Sequence, residues 1–489
     1  MRYFKRTLFG AAALVLVLAI VVLVRTLTFR PQESPGASVL LAAPPAFDLQ
    51  AAAQRLSEAI RIKTVSQQDE ASIDRNEWRK LLEWAAARYP LSTNAFDREM
   101  VAGYTPIYTW PGSDASLAPI ILMAHQDVVP VDAATEKDWS HPPFEGVIAN
   151  GAVWGRGAID DKGSLVAIFE ATEALIRAGF SPRRAVIIVN GHDEETTQSG
   201  AMAAAKALKD RGVMADFVLD EGLITVADFP LLKGPAALVG VAEKGYATLA
   251  VTARGEGGHS SMPPDDTAVE QLARAVTAIA ENPDPMTLSG PGGATVRTIG
   301  PQAGFLTRMA IANEWLFRPL LIREIARTPA GAALLHTTMA PTMLEGSPKE
   351  NVLPQIARAT INYRIAPGQT TTDVMARAKA AVGALPVELS WTGATKEPSP
   401  ISSTESEGWK IIAALASQDG ATPVAPGLVL ASTDSSHMAP VAKDIYRFQP
   451  LMLALAETKI IHGTDERLTL ENLKRMIEFY ARLISTAAD

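Results

Sequence analysis

The sequence predicts an α/β protein with a mixed central sheet, into which a smaller α+β domain is inserted. From Gly155 to Glu195 the chain has a turn, an amphipathic segment with helical spacing and a buried apolar strand. This is the order of a parallel crossover unit. Half-solvated alternating strands begin near Lys244, and buried apolar strands return from about residue 397. These observations indicate one domain interrupted by another.

The totals limit the class of protein. A chain of 489 residues is too long for one typical hydrophobic core, so at least two domains are expected. The net charge of −8 argues against a nucleic-acid partner, which normally meets a basic face. The chain has no cysteine. Disulfides and thiolate ligands are therefore excluded, and a metal ion has to be held by His, Asp and Glu side chains.

Residues 1–30 are predicted to be an N-terminal membrane anchor or signal segment. An uncharged apolar run extends from Leu8 to Val24, with three basic residues before it and Arg25 directly after it. With the residues that follow, it reaches the length of about 20 that a spanning helix needs. The length of the run, with no convincing small-x-small cleavage site directly after it, predicts an uncleaved anchor. The charge bias places the body outside the cytoplasm, periplasmic or lumenal. The alternative is a protein secreted after signal cleavage. A linker rich in Pro, Ala and Ser is predicted over 31–47.

In the first part of the larger domain, 48–243, buried strands alternate with helices. The predicted elements are helices and a strand pair over 48–115, a strand over 119–124, a helix from about 162, a strand over 185–189, a helix over 199–211 and a strand over 216–219.

The insert is predicted over 244–396, and the larger domain resumes over 397–489. The insert has a half-solvated strand over 246–253, a glycine-rich loop, a helix near 266–281, a Pro- and Gly-rich stretch over 284–303, an apolar helical stretch over 311–335 and strands over 357–364 and 386–391. The last part has a strand over 445–453, a turn at 460–462 and a closing helix over 470–486.

Clusters of His, Asp and Glu follow the predicted strands of the larger domain. They lie at 125–127, 193–195 and 220–221, and an acidic turn lies at 160–161. Ligands of α/β sheets collect at the carboxyl ends of strands, and clustered carboxylates repel one another unless a cation neutralises them. A pair of zinc ions needs a bridging carboxylate and further ligands on each ion. The candidate metal ligands are His125, Asp160, Glu195, Asp220 or Glu221, and His462.

Spacing assigns some of the roles. His125 and Asp127 are two apart on a strand and point to one face, so Asp127 is placed to orient the imidazole. Glu194 and Glu195 are neighbours and point to opposite faces in extended geometry, so one is a ligand and the other accepts a proton. The same alternation leaves one ligand in the next acidic pair, where Asp220 is preferred.

Each candidate has a structural alternative. Asp160 and Asp161 are also suited to capping the helix that follows them. We assign bridging to Asp160, and capping or support of the site to Asp161. The pair 194–195 is also typical of a solvated turn, and His462 of an ordinary turn histidine. The number of such residues at one predicted sheet edge favours the metal site.

Seven motifs occur in order: HQDVVPVD, WSHPPFEG, GRGAIDDKGS, GHDEE, LDEG, GHSSMPP and IHGTDER. The set resembles the aminoacylase, carboxypeptidase S and peptidase T family of co-catalytic zinc metallopeptidases and amidohydrolases, over about residues 50–485. The segment 285–345 is most similar to the carboxypeptidase S and N-fatty-acyl-amino-acid synthase/hydrolase branch. The resemblance implies a zinc-peptidase-like catalytic domain with an inserted lid that serves dimerisation.

The resemblance implies two Zn²⁺ ions per subunit. It also implies a cis peptide bond between Asp160 and Asp161, Asp127 as the residue that orients the first histidine, and Glu194 as the general base. The implied ligands are His125, Asp160 and Asp220 for one ion, and Asp160, Glu195 and His462 for the other.

The lid carries further implied roles. His259 resembles the histidine that stabilises the oxyanion, commonly across a dimer interface. Asn351 and Arg364 lie at substrate-binding positions, where a guanidinium suits a free carboxylate. Ser436 is a departure, because the branch often has an arginine at that position.

The predicted function is a zinc-dependent hydrolase that cleaves, or reversibly forms, an amide bond beside a free carboxylate. The predicted substrates are small peptides, as for a metallo-carboxypeptidase, or N-acyl amino acids. The alternative is a non-catalytic binding module on the same scaffold. The expected partners are the membrane, through the N-terminal helix, and a second copy of the chain, through the lid.

Overall fold

The computed structural model describes residues 2–31, 36, 38–418 and 420–489. The helices are α1 (Arg2–Thr28), α2 (Leu49–Arg61), α3 (Arg75–Arg88), α4 (Pro90–Ala95), α5 (Lys162–Arg177), α6 (Ser199–Asp210), α7 (Ala268–Ala280), α8 (Gly290–Ile299), α9 (Phe305–Ala312), α10 (Glu314–Ile325), α11 (Pro329–Ala333), α12 (Thr371–Val382), α13 (Glu407–Ala416) and α14 (Leu470–Ala487).

The strands are β1 (Asp97–Val101), β2 (Thr105–Trp110), β3 (Ile120–His125), β4 (Val147–Ala149), β5 (Ala152–Trp154), β6 (Val186–Gly191), β7 (Ala215–Val226), β8 (Ala236–Glu243), β9 (Gly245–Arg254), β10 (Gly258–His259), β11 (Thr338–Glu345), β12 (Val352–Leu353), β13 (Ile356–Ile365), β14 (Val387–Lys396), β15 (Val424–Val429), β16 (Ala442–Leu453) and β17 (Arg467–Thr469).

Eight strands form the main sheet, in the order β1-β2-β6-β3-β7-β16-β8-β15. Its centre is parallel, with β3 between β6 and β7, and with β16 beside β7. At one edge β1 and β2 extend it in antiparallel fashion. The predicted α/β class with a mixed central sheet is therefore confirmed. Because β3, β6 and β7 are parallel, the residues that follow them meet at one edge of the sheet.

Helices cover both faces of the main sheet. On one face α5 packs between the sheet and the helices α2 and α14, so that nearly all of it is buried. On the other face α6 contributes Ala201, Ala204 and Leu208 to a second core cluster. Coverage on both faces explains why the central strands consist of continuous apolar runs rather than alternating ones.

The second sheet is antiparallel, in the order β11-β13-β9-β14. Its strands β9 and β13 alternate between more and less buried residues, as half-solvated strands do. The helices α7 and α12 cover its apolar face, and each begins with a capping box that satisfies free backbone N–H groups. The strands come from the segment predicted as the insert. The boundaries of the five predicted segments stay a prediction.

The segment after α7 differs from the expectation. The Pro- and Gly-rich stretch contains the helix α8, and the apolar stretch 311–335 is divided among α9, α10 and α11. Tertiary contacts stabilise α8, because Thr295 Oγ1 donates to the Pro426 carbonyl at 2.6 Å and Ile299 is fully buried. Local composition does not report such contacts.

The N-terminal segment forms the continuous helix α1. Within the described residues it is the one helix that is long and apolar enough to cross a membrane, over Arg6–Thr28. A signal segment and a membrane anchor share these features. Part of the predicted linker, residues 32–35 and 37, lies outside the described residues. Its last part packs on the body, since Ala42 N donates to Thr486 Oγ1 at 3.1 Å.

Candidate metal centre

Asp160 lies between two histidines that are far apart in the sequence. Its Oδ1 is 2.8 Å from His125 Nε2, and its Oδ2 is 2.9 Å from His462 Nε2. The peptide bond that joins it to Asp161 is cis, as the resemblance implied. A carboxylate that divides its two oxygens between two imidazoles in this way has the arrangement of a bridging ligand.

The ring of His125 is held by contacts at Nδ1, while its Nε2 faces Asp160. Its Nδ1 lies 3.0 Å from the carbonyl oxygen of Asp127 and 3.4 Å from the Asp127 carboxylate. A hydrogen on Nδ1 satisfies this contact and leaves Nε2 as the free lone pair. The Asp127 carboxylate also accepts hydrogen bonds from the backbone N–H groups of Glu194, at 3.1 Å, and Glu195, at 3.2 Å. One buried aspartate therefore supports both the imidazole and the acidic turn.

His462 completes the other side of the cluster. Its Nε2 is 3.0 Å from Glu195 Oε1, and the hydrogen bonds to Asp160 and Glu195 raise the pKa of His462 to about 10. Residue 462 has a positive φ of 60°. The tight turn directs the ring back towards the ends of the sheet strands.

Of the neighbouring pair Asp220 and Glu221, it is Glu221 whose carboxylate faces His125, although the sequence favoured Asp220. Glu221 Oε1 is 3.4 Å from His125 Nε2. The Asp220 carboxylate instead accepts from the backbone N–H groups of Glu221, at 2.9 Å, and Ser435, at 2.9 Å. The pairing of β7 with β16 is interrupted after Asp220, so the register passes over Glu221 and the glycine that follows it. A bulge of this kind re-aims a side chain.

Glu194 lies beside His125 and Glu221. One of its carboxylate oxygens is within 4.8 Å of donor atoms of His125 and Glu221, and it accepts a hydrogen bond from Gln198 at 3.0 Å. Burial raises the pKa of Glu194 well above its usual value, and the charges of Glu221 and Glu195 add to the rise. Such a carboxyl group is suited to hold a proton and release it.

Burial and mutual repulsion mark the acidic groups as a site for a cation. Burial, followed by the charge of Asp160, raises the pKa of Glu221 to about 8, and burial also raises the pKa of Glu195. The four contacts between histidine nitrogens and carboxylate oxygens measure 2.8–3.4 Å. Ligands at about 2.0–2.1 Å from a tetrahedral zinc ion are about 3.3 Å apart, so the donor set fits the metal.

Asp161 supports the site and does not cap α5. Its side chain makes no capping hydrogen bond. Its two oxygens instead accept from the backbone N–H of His125 at 3.3 Å and from Gln449 Nε2 at 3.1 Å. It thereby joins the end of β3 to β16.

Two charged residues that were not among the predicted site residues hold the loop that carries Asp160, here called the bridging loop. Arg156 and Glu466 form a buried ion pair at 2.7 Å. Glu466 also accepts from the backbone N–H groups of Ile159, at 2.9 Å, and Asp160, at 3.1 Å. Arg156 donates to the His462 carbonyl at 3.0 Å. Both lie within the quoted motifs, GRGAIDDKGS and IHGTDER. An arginine in one motif and a glutamate in the other were the available signal.

We expect Glu466→Gln to lower the free energy of unfolding by about 3–5 kcal/mol, because it leaves the buried Arg156 without a counter-charge. Urea unfolding at constant metal concentration measures this. Glu457→Gln is the control, because Glu457 is half exposed and its 3.7 Å pair with Arg467 is a surface contact, worth at most about 1 kcal/mol. Equal midpoints for the two variants would contradict the supporting role of Glu466.

The remaining predicted residues lie on the second sheet and its loops. No hydrogen bond or ion pair joins His259, Asn351 or Arg364 to the cluster within the described part of the chain. His259 is exposed, and its Nδ1 accepts from the backbone N–H of Ser261 at 3.1 Å. This contact leaves Nε2 as the ring nitrogen that can donate a hydrogen bond. Arg364 lies over the ring of Tyr246, 4.8 Å from its centroid.

The fold and the cluster together define a metallopeptidase-type hydrolase. A mixed α/β sheet carries imidazoles and carboxylates at its strand ends, and a buried carboxyl group lies beside them. The comparisons with known proteins agree. Residues 121–486 match the model described as Peptidase family M20/M25/M40, and the chain belongs to that family.

Curated relatives match over most of their length. The chain is 36% identical to "Probable carboxypeptidase S-like 2" of Dictyostelium discoideum, over 88% of this chain and 84% of that protein. It is 35% identical to "N-fatty-acyl-amino acid synthase/hydrolase PM20D1" of Mus musculus, over 94% and 92%. The M20 family metallo-carboxypeptidase Sso-CP2 from Sulfolobus solfataricus has a similar fold, with a TM-score of 0.64, 17% identity and coverage of 88% and 98%. Nothing in these comparisons supports the alternative of a non-catalytic module.

Proposed function

We propose that the chain holds two zinc ions and hydrolyses an amide bond beside a free carboxylate. The proposed ligands are His125, Asp160 and Glu221 for one ion, and Asp160, Glu195 and His462 for the other. The observation that carries the proposal is the division of the Asp160 oxygens between His125 and His462, at 2.8 and 2.9 Å. When bound, the two cations supply Lewis acidity towards the scissile carbonyl and towards the attacking water.

The surrounding residues position the reactants and move the proton. Glu194 accepts the proton of the attacking water and passes it to the leaving amine, because burial raises the pKa of its carboxyl group and so favours the protonated form between the two transfers. Asp127 keeps Glu194 in place through the backbone N–H bond at 3.1 Å. His259 donates from Nε2 to the oxyanion of the tetrahedral intermediate. Because His259 lies on an exposed loop of the second sheet, the proposal includes a homodimer in which a second copy supplies it.

The substrate class is proposed from the names of the relatives and from the positive charge of the Arg364 guanidinium. Among the described residues, no carboxylate is paired with the guanidinium of Arg364, which lies on the second sheet over Tyr246. The Oδ1 of Asn351 is buried and has no hydrogen-bond donor. Both groups suit the free carboxylate and the amide of a small peptide or an N-acyl amino acid. The names of the relatives include both carboxypeptidase S and an N-fatty-acyl-amino acid synthase/hydrolase. Ser436 stands where this branch often has an arginine, so the choice between small peptides and N-acyl amino acids is made by the kinetic test below.

The proposed location is the membrane, through α1, with the body on the extracytoplasmic side. The helix has the length and composition of a span, over Arg6–Thr28, and the alternative is a secreted form without it. The last turn of α1 is packed on the body, because Arg25 Nε donates to the Ala312 carbonyl at 3.2 Å.

The test is a kinetic comparison of N-acyl amino acids, dipeptides and their carboxamide analogues, with metal content measured alongside. We expect Arg364→Ala to raise KM for carboxylate substrates about 10- to 100-fold, which corresponds to a charge-assisted bond of about 1.5–3 kcal/mol. The substitution should leave KM for the carboxamide analogues and the metal content unchanged.

Arg358→Ala is the matched control, because Arg358 lies six residues earlier on the same strand, β13, on the same face. Its KM is expected to equal that of the wild type. If Arg364→Ala affects carboxylates and carboxamides equally, the carboxylate role of Arg364 is lost. If the protein binds no metal and turns over no amide, the whole proposal fails.

A further inference from the structure

The helices α9 and α10 expose large apolar side chains. We call these residues the α9–α10 patch; they are Phe305, Leu306, Trp315, Leu316 and Leu320, with exposed fractions of 48, 73, 54, 39 and 47%. In α10 one residue, Leu321, is buried. Large apolar groups exposed together on adjoining helices mark an interaction surface rather than a packed core.

The patch adjoins α1. Asn313, which separates α9 from α10, donates from Nδ2 to the Val22 carbonyl at 3.2 Å and to Thr26 Oγ1 at 3.3 Å. Thr26 is fully buried. Phe29, directly after α1, packs into the small core that α8, α9 and α10 share. The contacts set the height of the patch along the axis of α1.

The rise of the helix converts these contacts into a depth. The uncharged part of α1 lies between Arg6 and Arg25, and at 1.5 Å per residue it spans about 27 Å, close to the thickness of a hydrocarbon core. The Val22 carbonyl lies three residues before Arg25, which places it about 4–5 Å inside the hydrocarbon boundary. Asn313 is in contact with that carbonyl, so the junction of α9 and α10 lies at the same depth.

Composition agrees with this depth. Residues 305–327 contain four arginines and two glutamates, a net charge of +2 in a chain of net charge −8. Tryptophan and arginine are the residues that interfacial helices use, since one end of each side chain is apolar and the other polar or charged. Helices of this kind lie with their apolar side about 5–10 Å into the boundary between headgroups and acyl chains.

We propose that the α9–α10 patch lies in the extracytoplasmic interface of the bilayer that α1 spans, in contact with lipid acyl chains. The inference rests on the proposed anchoring by α1. In this arrangement the protein contacts the membrane in two ways, through the spanning helix α1 and through the interfacial α9–α10 patch.

The test uses the full-length protein in vesicles of phosphatidylcholine and phosphatidylglycerol. Because the chain has no cysteine, single cysteines can carry an environment-sensitive fluorophore at Leu306→Cys and Leu320→Cys. Met214→Cys is the control, since Met214 is 48% exposed and Leu320 is 47% exposed. Leu16→Cys, within α1, reports on anchoring. Lipids with a spin label on the acyl chain quench fluorophores that contact them.

We expect blue-shifted emission and quenching at positions 306, 320 and 16, and water-like emission without quenching at 214. Quenching at 16 together with water-like emission at 306 and 320 would overturn the patch while the anchor stands. No quenching at 16 would overturn the anchor and the patch together. A blue shift at 306 that rises with protein concentration and ignores the quencher would assign the patch to a second copy of the chain, against the proposal.

Discussion

Replacement of Glu194 by glutamine is expected to lower kcat by about 10³-fold while the metal content stays the same. Glutamine preserves the size of the side chain and the acceptor for the Gln198 hydrogen bond at 3.0 Å, but it cannot take a proton from water. General acid–base catalysis by a positioned carboxylate contributes about 10²- to 10⁴-fold. Steady-state kinetics, together with metal analysis of the same preparation, measures the effect.

The same substitution at an exposed glutamate, Glu281→Gln, is the control and should leave kcat unchanged. A decrease in kcat of only a few fold at Glu194 would exclude it as the base. Loss of metal along with activity would show that Glu194 is itself a ligand. This outcome is the alternative to test, because Glu194 lies close to the donor atoms of His125 and Glu221.

Asp160→Asn is expected to reduce the bound metal from two ions to one or none and to lower kcat/KM by at least about 10³-fold. The substitution removes one of the two oxygens that face His125 and His462. The loss of a cation that stabilises the transition state costs several kcal/mol, and each 1.4 kcal/mol is tenfold in rate. Metal analysis after exhaustive dialysis and kinetics at fixed added zinc measure the two effects.

Asp220→Asn is the matched control. Asp220 is also an aspartate beside the cluster, but it is buried and its carboxylate accepts from the backbone N–H groups of Glu221 and Ser435 rather than facing a histidine. This variant should keep two ions, with at most a decrease in stability. If it loses metal and Asp160→Asn retains both ions, the assignment of the bridge and of Glu221 as a ligand is reversed.

The main sheet was predictable because its central strands are continuous apolar runs. Segments 119–124 and 185–189 correspond to β3 and β6, and both are buried on two faces. The helix α8 was not predictable, because its Pro- and Gly-rich composition opposes a helix and its stability comes from contacts with β15. The strands β8 and β15 were missed as well, since short apolar segments carry little periodicity.

The site could be predicted as far as residue type and order allow. His125, Asp160, Glu195 and His462 gather in one cluster, as the motifs implied. The residues that support the bridging loop, Arg156 and Glu466, were not predicted. They are 310 residues apart, and a buried ion pair leaves no local pattern in the chain.

By itself the sequence determined which chemical groups are available and in what order they follow the strands. Strand direction then places the polar residues that follow β3 and β6 at one edge of the sheet. Only the tertiary structure shows that Glu221 faces His125, because the alternation of an ideal strand fails at the bulge that follows Asp220. Pairing with β16 creates that bulge, and a strand cannot show in its own residues how its neighbour pairs with it.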